Sequence, residues 1–115
     1  MKNIDSIGHV TGKSVYLDDI PTLRGTLHAS ILGSTVASGK IVRFDATKAS
    51  ELEGVERIIT YKEITGENQI GGIIPDEPLF ADHEVHFHGQ PIAIAVATSE
   101  FIARKAVSLI EVEYE

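Results

Sequence analysis

The sequence predicts an α+β domain in which two short helices lie against a mixed sheet. Residues 92–97 read Ile-Ala-Ile-Ala-Val-Ala, an apolar run of strand length that follows a Gly-Gln-Pro corner at 89–91. Directly afterwards, the apolar residues of 99–109 recur at helical spacing and form one stripe. The elements follow in the order strands, helix, strand, loop, strands, helix and strand, which indicates a single domain over residues 1–115.

Four strands are predicted in the first half of the chain, after a polar arm over residues 1–13. Alternating apolar residues, bounded by Gly, Pro and Asp, are typical of strands. The predicted strands cover residues 14–17, 26–32, 40–44 and 55–60. In the second strand Leu27, Ala29 and Ile31 share one face. Asp18-Asp19 follows the first strand and is interpreted as a turn cap, because adjacent carboxylates on a strand point in opposite directions.

Both predicted helices have recognisable ends. Asp45 is a good N-cap for a helix near Ala46–Leu52, and Gly54 suits the left-handed residue that follows its C-terminus. Thr98 is expected to cap the second helix, over Ser99–Leu109. The remaining elements are a helical turn near 61–64, a Gly-rich loop over 66–78 and strands over 82–88 and 111–115.

The composition excludes several functional classes. The chain has 115 residues, of which 43% are hydrophobic and 23% charged, as expected of one globular domain. Its net charge of −7 and its lack of a Lys/Arg cluster argue against nucleic-acid binding. Because it contains no Cys, it can form neither a disulfide nor a thiolate metal site.

No targeting or membrane segment is apparent in the sequence. The N-terminal residues lack the apolar stretch of a secretory signal and the Arg-rich pattern of an organellar one. The longest apolar run, residues 92–97, is far shorter than the roughly 20 residues that a membrane span requires. We therefore expect a soluble domain without a membrane partner, located in the cytoplasm.

A cluster of histidines, His83, His86 and His88, precedes the Gly-Gln-Pro corner. On a strand, Glu84, His86 and His88 would share one face, while Val85 and Phe87 would point into the core. Two imidazoles and a carboxylate could bind Zn²⁺ or Ni²⁺. A solvated strand face with pH-sensitive histidines is favoured, because i, i+2 ligands leave their supporting contacts unspecified.

The corner itself allows two interpretations of Gln90. Gly and Pro on either side are typical of a turn that leads into the next strand. The alternative is that the Gln90 amide points towards a cofactor or a partner. Elsewhere, Gly71-Gly72 lacks the spacing of a phosphate loop, and no Gly-x-Ser-x-Gly motif supports a hydrolase.

Short motifs along almost the whole chain carry a family resemblance. They are Asp5-Ser6, His9 to Ser14, Tyr16 to Pro21, Leu27-His28, Ile41 to Asp45, Gly54-Val55, Asp76 to Ala81, Val85 to Ala97 and Val112 to Glu115. In this order and spacing they resemble the α/β-hammerhead domain of the molybdenum-binding subunit in the xanthine dehydrogenase/aldehyde oxidase family. The opening motifs and Asp76-Glu77-Pro78-Leu79 look most like those of xanthine dehydrogenases.

The resemblance implies the function of one part of a larger enzyme. Family members hydroxylate purines or aldehydes at a molybdenum–pterin centre, whose catalytic Glu, Gln and pterin loops lie in later domains. It therefore implies no catalytic residue and no cofactor on this chain, and no activity of the chain alone. Molybdopterin would be held by downstream domains, and Fe–S and FAD by partner subunits. Met1, close before the first motif, suggests a separately encoded molybdenum subunit.

Some features of the chain depart from the family pattern or suggest other functions. Leu32 to Lys40 replaces an Arg-Ser-x-x-Ala-His-Ala-like stretch, so no role tied to that Arg or His carries over. A free-standing binding module or a small metal-binding protein is the alternative. A lysine-presenting carrier is disfavoured, because Lys40 and Lys62 do not lie in a Met-Lys-Met-like hairpin tip.

We expect an interface at the Gly-rich loop and the two residues that follow it. Five large apolar residues fall within eleven positions, and the intervening Gly and Pro prevent a regular element from burying them. They are Ile70, Ile73, Ile74, Leu79 and Phe80. We expect them to form an apolar patch that contacts neighbouring domains. The alternative is that the loop folds back and completes the core of the domain.

Overall fold

Six strands form two three-stranded sheets in the computed structural model, which describes residues 4–115. The strands are β1 (His28–Gly33), β2 (Gly39–Asp45), β3 (Val55–Thr60), β4 (Glu84–Val85), β5 (Pro91–Ala97) and β6 (Glu111–Tyr114). The helices are α1 (Ser6–Val10), α2 (Thr47–Ser50) and α3 (Glu100–Ser108), with 3-10 turns at Leu17–Asp19 and Tyr61–Glu63. The α+β class and the two predicted helices are confirmed; α1 was not predicted.

The sheets differ from the single mixed sheet that the sequence predicts. The first sheet has the order β1-β5-β3 and the second β4-β2-β6, and the pairs within both are antiparallel. The strands β1 and β2 follow each other in sequence, yet each pairs with strands from the second half of the chain. Apolar alternation identifies a strand but not its partner, which explains the difference.

The core lies where α3 packs on β5, the central strand of the first sheet. Ala95 on β5 and Ala106 on α3 are completely buried in one cluster with Ala49 of α2. Small side chains at these positions let the helices approach the sheet closely. At nine residues, α3 is the longest described helix, and no helix in this part of the chain is long and apolar enough to cross a membrane.

Polar side chains define both helix starts. The backbone N–H of Thr47 donates to Oδ1 of Asp45 at 3.0 Å, and this hydrogen bond lowers the pKa of Asp45. Asp45 was predicted as the N-cap, but the residue directly before α2 is Ala46, which makes no side-chain cap, and Asp45 binds the N–H of Thr47 from one residue further back. For α3 the prediction of Thr98 was wrong: the cap is Ser99, whose Oγ accepts from the N–H of Ile102 at 3.2 Å. Ser99 is extended, which brings its hydroxyl within reach of the first turn.

Strand β1 covers the face opposite to the one that its hydrophobic residues predict. The face with Ala29 and Ile31 is exposed, and Ile31 is 59% accessible, whereas Ser30 and Leu32 point inward. Ser30 lies opposite the buried Ala95, so α3 and β5 decide which face of β1 is covered.

The predicted strand over 14–17 is also absent. This segment leads instead into the 3-10 turn Leu17–Asp19, because no described strand lies beside it to complete a sheet. Oδ2 of Asp19 accepts from the N–H of Tyr16 at 2.9 Å. The interpretation of Asp18-Asp19 as a turn cap is therefore confirmed for Asp19.

Candidate functional site

The corner over residues 86–90 is held by a buried amide. Gly89 has a φ of +87°, a conformation that suits glycine, and the next residue, Gln90, is only 2% exposed. The Gln90 side-chain Oε1 accepts from the backbone N–H of His86 at 2.7 Å, and the Gln90 N–H donates to the carbonyl of Phe87 at 3.2 Å. The geometry therefore supports a role for Gln90 in fixing the turn, and a cofactor contact stays a prediction.

A second contact joins this corner to the end of β1. The Gly89 N–H donates to the Ser34 carbonyl at 2.8 Å, and the Ser34 N–H donates to the Gln90 carbonyl at 2.9 Å. A Cβ at Gly33 would lie only 2.9 Å from the Gly89 carbonyl oxygen. Sequence reasoning missed this close backbone contact because its two sides are more than fifty residues apart. The glycines at 33 and 89 were the available signal.

The histidine cluster is only partly assembled. His86 Nε2 lies 3.6 Å from Glu84 Oε1, and both side chains are exposed. Strand β4 ends at Val85, so the expected alternation does not reach His88. For the same reason Phe87, predicted to point into the core, is 50% exposed. Within residues 4–115 no three His, Asp or Glu side chains are grouped as metal ligands.

Replacing Gln90 tests its structural role. We expect Gln90→Leu to lower the free energy of unfolding by about 1–3 kcal/mol, because the backbone N–H of His86 loses its acceptor and the corner loses the hydrogen bond that fixes it. The matched control is His86→Ala, which leaves that backbone N–H in place and should change stability by less than about 0.5 kcal/mol. Urea unfolding followed by circular dichroism measures both. Equal stability of Gln90→Leu and the parent chain would contradict this role.

The long loop, residues 64–83, is exposed at most of the predicted interface positions. Ile73 is 98% exposed, and Ile70, Ile74 and Leu79 are exposed as well. Phe80 differs, since only 4% of it is accessible. Asn68 holds its backbone from both sides: Nδ2 donates to the Phe80 carbonyl at 2.7 Å, and Oδ1 accepts from the Phe80 N–H at 2.9 Å. Phe80 thus belongs to the core of this chain, and the other four residues remain interface candidates.

Comparison with known proteins places this arrangement in a family. The family described as "Aldehyde oxidase and xanthine dehydrogenase, a/b hammerhead domain" matches residues 11–115. The chain belongs to this family. The hammerhead fold predicted from the sequence is thereby confirmed, and it agrees with the structural similarity given below.

Relatives of this hammerhead domain are much longer oxidoreductases. The xanthine dehydrogenase of Drosophila pseudoobscura pseudoobscura is 38% identical over 111 residues, which cover 96% of this chain and 8% of the relative. The nicotinate dehydrogenase large molybdopterin subunit of Eubacterium barkeri is 35% identical over 112 residues, or 97% of this chain and 26% of that subunit. The solved structure of the aldehyde oxidoreductase from Desulfovibrio gigas resembles this chain with a TM-score of 0.86 at 31% identity. The match covers 97% of this chain and 14% of the oxidoreductase chain. This hammerhead domain thus corresponds to a small part of each.

The hammerhead domain does not itself fit a molybdopterin site. Among the described residues, no buried side-chain nitrogen or oxygen lacks a hydrogen-bond partner. The one buried amide aimed at the corner, that of Gln90, already accepts from the chain's own backbone. Among the described residues, the buried polar side chains are therefore engaged within the chain itself.

Proposed function

We propose that this chain is a structural and interface domain of a molybdenum hydroxylase whose active site is built by other domains. The observation that carries the proposal is the amount of large apolar surface that the folded domain leaves exposed. Besides the long loop, this surface includes the segment before β1, where Val15, Leu17 and Leu23 are all exposed. Single exposed apolar residues are common, but surfaces of this extent are typical of protein contacts.

The shape of the chain supports the same function. Its radius of gyration is 18.6 Å, whereas a compact domain of this size has about 13 Å. The described residues before β1, 4–27, contribute no strand to either sheet and no residue to the two core clusters. A segment of this kind gains stability when a neighbouring domain covers its apolar side chains.

The outer face of the first sheet adds a flat apolar surface. Ile31, Ile94 and Ile59 lie side by side across its three strands, and Val96 is in the next row. These side chains are half-buried or exposed, because α2 and α3 contact the opposite face through Ala95. We infer that this face also contacts a neighbouring domain.

Xanthine dehydrogenase, which oxidises hypoxanthine and xanthine in purine metabolism, is the enzyme that we propose for this domain. The support is the resemblance of the opening motifs and of Asp76 to Leu79 to those of xanthine dehydrogenases. In this proposal downstream domains hold molybdopterin, partner subunits hold Fe–S and FAD, and the assembly is cytoplasmic.

The 115-residue chain alone should be inactive. We expect no oxidation of hypoxanthine or xanthine with an artificial electron acceptor, and no bound molybdenum by elemental analysis of the purified chain. The reason is that the resemblance assigns the catalytic Glu, the Gln and the pterin loops to later domains. Stoichiometric molybdenum or measurable turnover would contradict the proposal, and stoichiometric zinc or nickel would favour the metal-binding alternative.

The interface function is tested in the longer polypeptide that carries this domain. Replacing Ile73 and Ile74 together by Asp should greatly reduce the amount of assembled, molybdenum-containing enzyme, because the charges would have to be buried at the contact. Thr65→Asp is the control, since it adds a charge to the same loop at an exposed position outside the patch. In the isolated chain both changes should leave the urea midpoint unaltered. Normal assembly of the double variant would refute the loop as an interface.

A further inference from the structure

Strand β1 has an open edge on the side that faces away from β5. The first sheet has the order β1-β5-β3, so β1 lies at its border. Within residues 4–115, the backbone of β1 makes hydrogen bonds to β5 alone. An edge of this kind can pair with the strand of another chain.

The hydrogen bonds at the end of β5 show which residues of β1 face the open edge. The N–H of Thr98 donates to the Gly54 carbonyl at 2.9 Å, on the β3 side. Backbone groups of an antiparallel strand alternate in direction, so Ala95, three residues earlier, bonds towards β1. Its partner there is Ser30. The backbone groups of Ser30 therefore point to β5, and those of the next residue, Ile31, point to the open edge.

The other end of the sheet gives the same assignment. The N–H of Ser34 donates to the Gln90 carbonyl at 2.9 Å, and the Ser34 carbonyl accepts from the Gly89 N–H at 2.8 Å. Both bonds are on the β5 side, and counting back from Ser34 in steps of two residues again reaches Ser30. The residues of β1 whose backbone groups face the open edge are Ala29, Ile31 and Gly33.

The two edges of this sheet are protected to different degrees. On β3 the N–H of Thr60 donates to Oε2 of Glu63 at 2.6 Å, and the exposed Glu56 and Arg57 place charges on the strand. Strand β1 contains no Asp, Glu, Lys or Arg. Because charges on an edge strand discourage pairing with other chains, β1 is the edge of this sheet that is open to pairing.

The open edge of β1 is complementary to a second copy of itself. In an antiparallel pair with its axis at Ile31, this residue lies opposite Ile31 of the second copy, and Ala29 lies opposite its Gly33. These are the residues with edge-facing backbone groups, so the free donors of each copy meet the free acceptors of the other. The register also keeps outward side chains opposite outward side chains, and it places no like charges together.

Side chains on the outer face of the sheet favour the same pairing. Ile31, Ile94 and Ile59 form one row across the three strands. Joining two copies at Ile31 makes this row continuous over both sheets, with the two Ile31 side chains as direct cross-strand neighbours. Ile31 is 59% exposed in the single chain, so it is accessible to this contact.

We propose that the chain associates with a second copy of itself through β1, which gives a continuous six-stranded sheet. Two short strands bury less than the roughly 1,000 Å² of a stable interface, so we expect a Kd of about 0.1–1 mM. The proposal does not depend on the proposed enzyme, because edge pairing leaves the outer face of the sheet open to a neighbouring domain.

The first test is sedimentation equilibrium of the 115-residue chain between about 10 μM and about 1 mM, in about 0.5 M sodium chloride to screen its net charge of −7. The average mass should rise towards that of a dimer. At about 1 mM, amide hydrogen exchange at Ala29 and Ile31 should be about two- to five-fold slower than in dilute solution, because that share of the chain is paired. Exchange at Ser30, which bonds to β5, should be slow at both concentrations.

Charges at Ile31 test the register of the pair. Ile31→Lys and Ile31→Glu should each raise the Kd at least about five-fold, because like charges then lie opposite each other. An equal mixture of the two variants should associate again, which also shows that both are folded. Val42→Lys is the control: Val42 is 55% exposed on a strand of the second sheet, and the change should leave association intact. Both lysines reduce the net negative charge, so general electrostatics would favour association in either variant.

Three results would overturn the proposal. The first is a chain that stays monomeric up to about 1 mM, which would leave the edge to a strand of another domain. The second is undiminished association of Ile31→Lys, or a mixture of the Lys and Glu variants that does not associate. The third is a dimer in which the amides of Ala29 and Ile31 exchange at the monomer rate, which would indicate that the outer faces pack together instead.

Discussion

Ala95→Leu is expected to lower the free energy of unfolding by about 3 kcal/mol. Ala95 is completely buried at the centre of β5, where Ala49 and Ala106 bring α2 and α3 against the sheet. Three additional carbon atoms cannot be accommodated there unless the helices move outward. Urea unfolding followed by circular dichroism measures the loss, which is a large fraction of the roughly 5–15 kcal/mol of a typical domain.

The same substitution on the other face of the sheet is the control. Ala29 is in the neighbouring strand β1 and is exposed. Ala29→Leu should therefore change the stability of the isolated chain by less than about 0.5 kcal/mol. If the two variants were equally stable, the assignment of the inner and outer faces of this sheet would be incorrect.

Gly54→Val is expected to be similarly destabilising, by about 3 kcal/mol. Gly54 has a φ of +90°, which a β-branched residue adopts only with strain. In addition, a Cβ at this position would lie 2.7 Å from Cδ1 of Ile102 and 2.9 Å from Oγ1 of Thr98. The substitution therefore combines backbone strain with displacement of α3, and thermal and urea unfolding should both detect it.

A smaller substitution tests the same interpretation. Gly54→Ala should retain most of the loss, because the strain and the close Cβ contacts are already present with one methyl group. Gly66→Ala is the matched control, since a Cβ there meets nothing within 4 Å and no left-handed φ is required. It should be neutral or stabilise the chain by up to about 1 kcal/mol. A destabilising Gly66→Ala with a neutral Gly54→Ala would contradict this interpretation.

The elements that the sequence predicted well are those with strong local signals. The apolar run of β5 and the apolar stripe of α3 need no information from the rest of the chain, and both were identified within a residue or two. Asp45 binds the first N–H of α2 through a carboxylate that the sequence displays directly, whereas α2 ends at Ser50, several residues before the predicted Gly54. These predictions depended on neighbours close in sequence.

The predictions that were wrong depended on distant contacts. Ile31 looks like a core residue by its hydrophobicity, but Ser30 points inward because its opposite neighbour is Ala95. Phe87 was assigned to a strand that ends two residues earlier, where the corner begins. In each case packing between segments far apart in sequence outweighed the local pattern.

The candidate sites also divide into features that the local sequence predicts and features that depend on distant contacts. The exposed Ile73 and Ile74 were predicted, because Gly and Pro around them exclude a regular element that could bury them. The hydrogen bond of Gln90 to His86 and the contact of Gly33 with Gly89 could not be read from spacing. Neither could a cleft of about 400 Å³ between β2 and the end of β3, whose lining residues come from four separate stretches of the chain.

The antiparallel pairing also determines when the domain can form during synthesis. Every described strand pair joins a strand that ends by Thr60 to one that begins at or after Glu84. At about 5–20 residues per second, the 37 residues from Thr60 to Ala97 take a ribosome roughly 2–7 s to add. During that interval β1, β2 and β3 have been made but have no partner, and their open edges are prone to pairing with other chains. The first half of the chain therefore carries unpaired strand edges until the second half has been made.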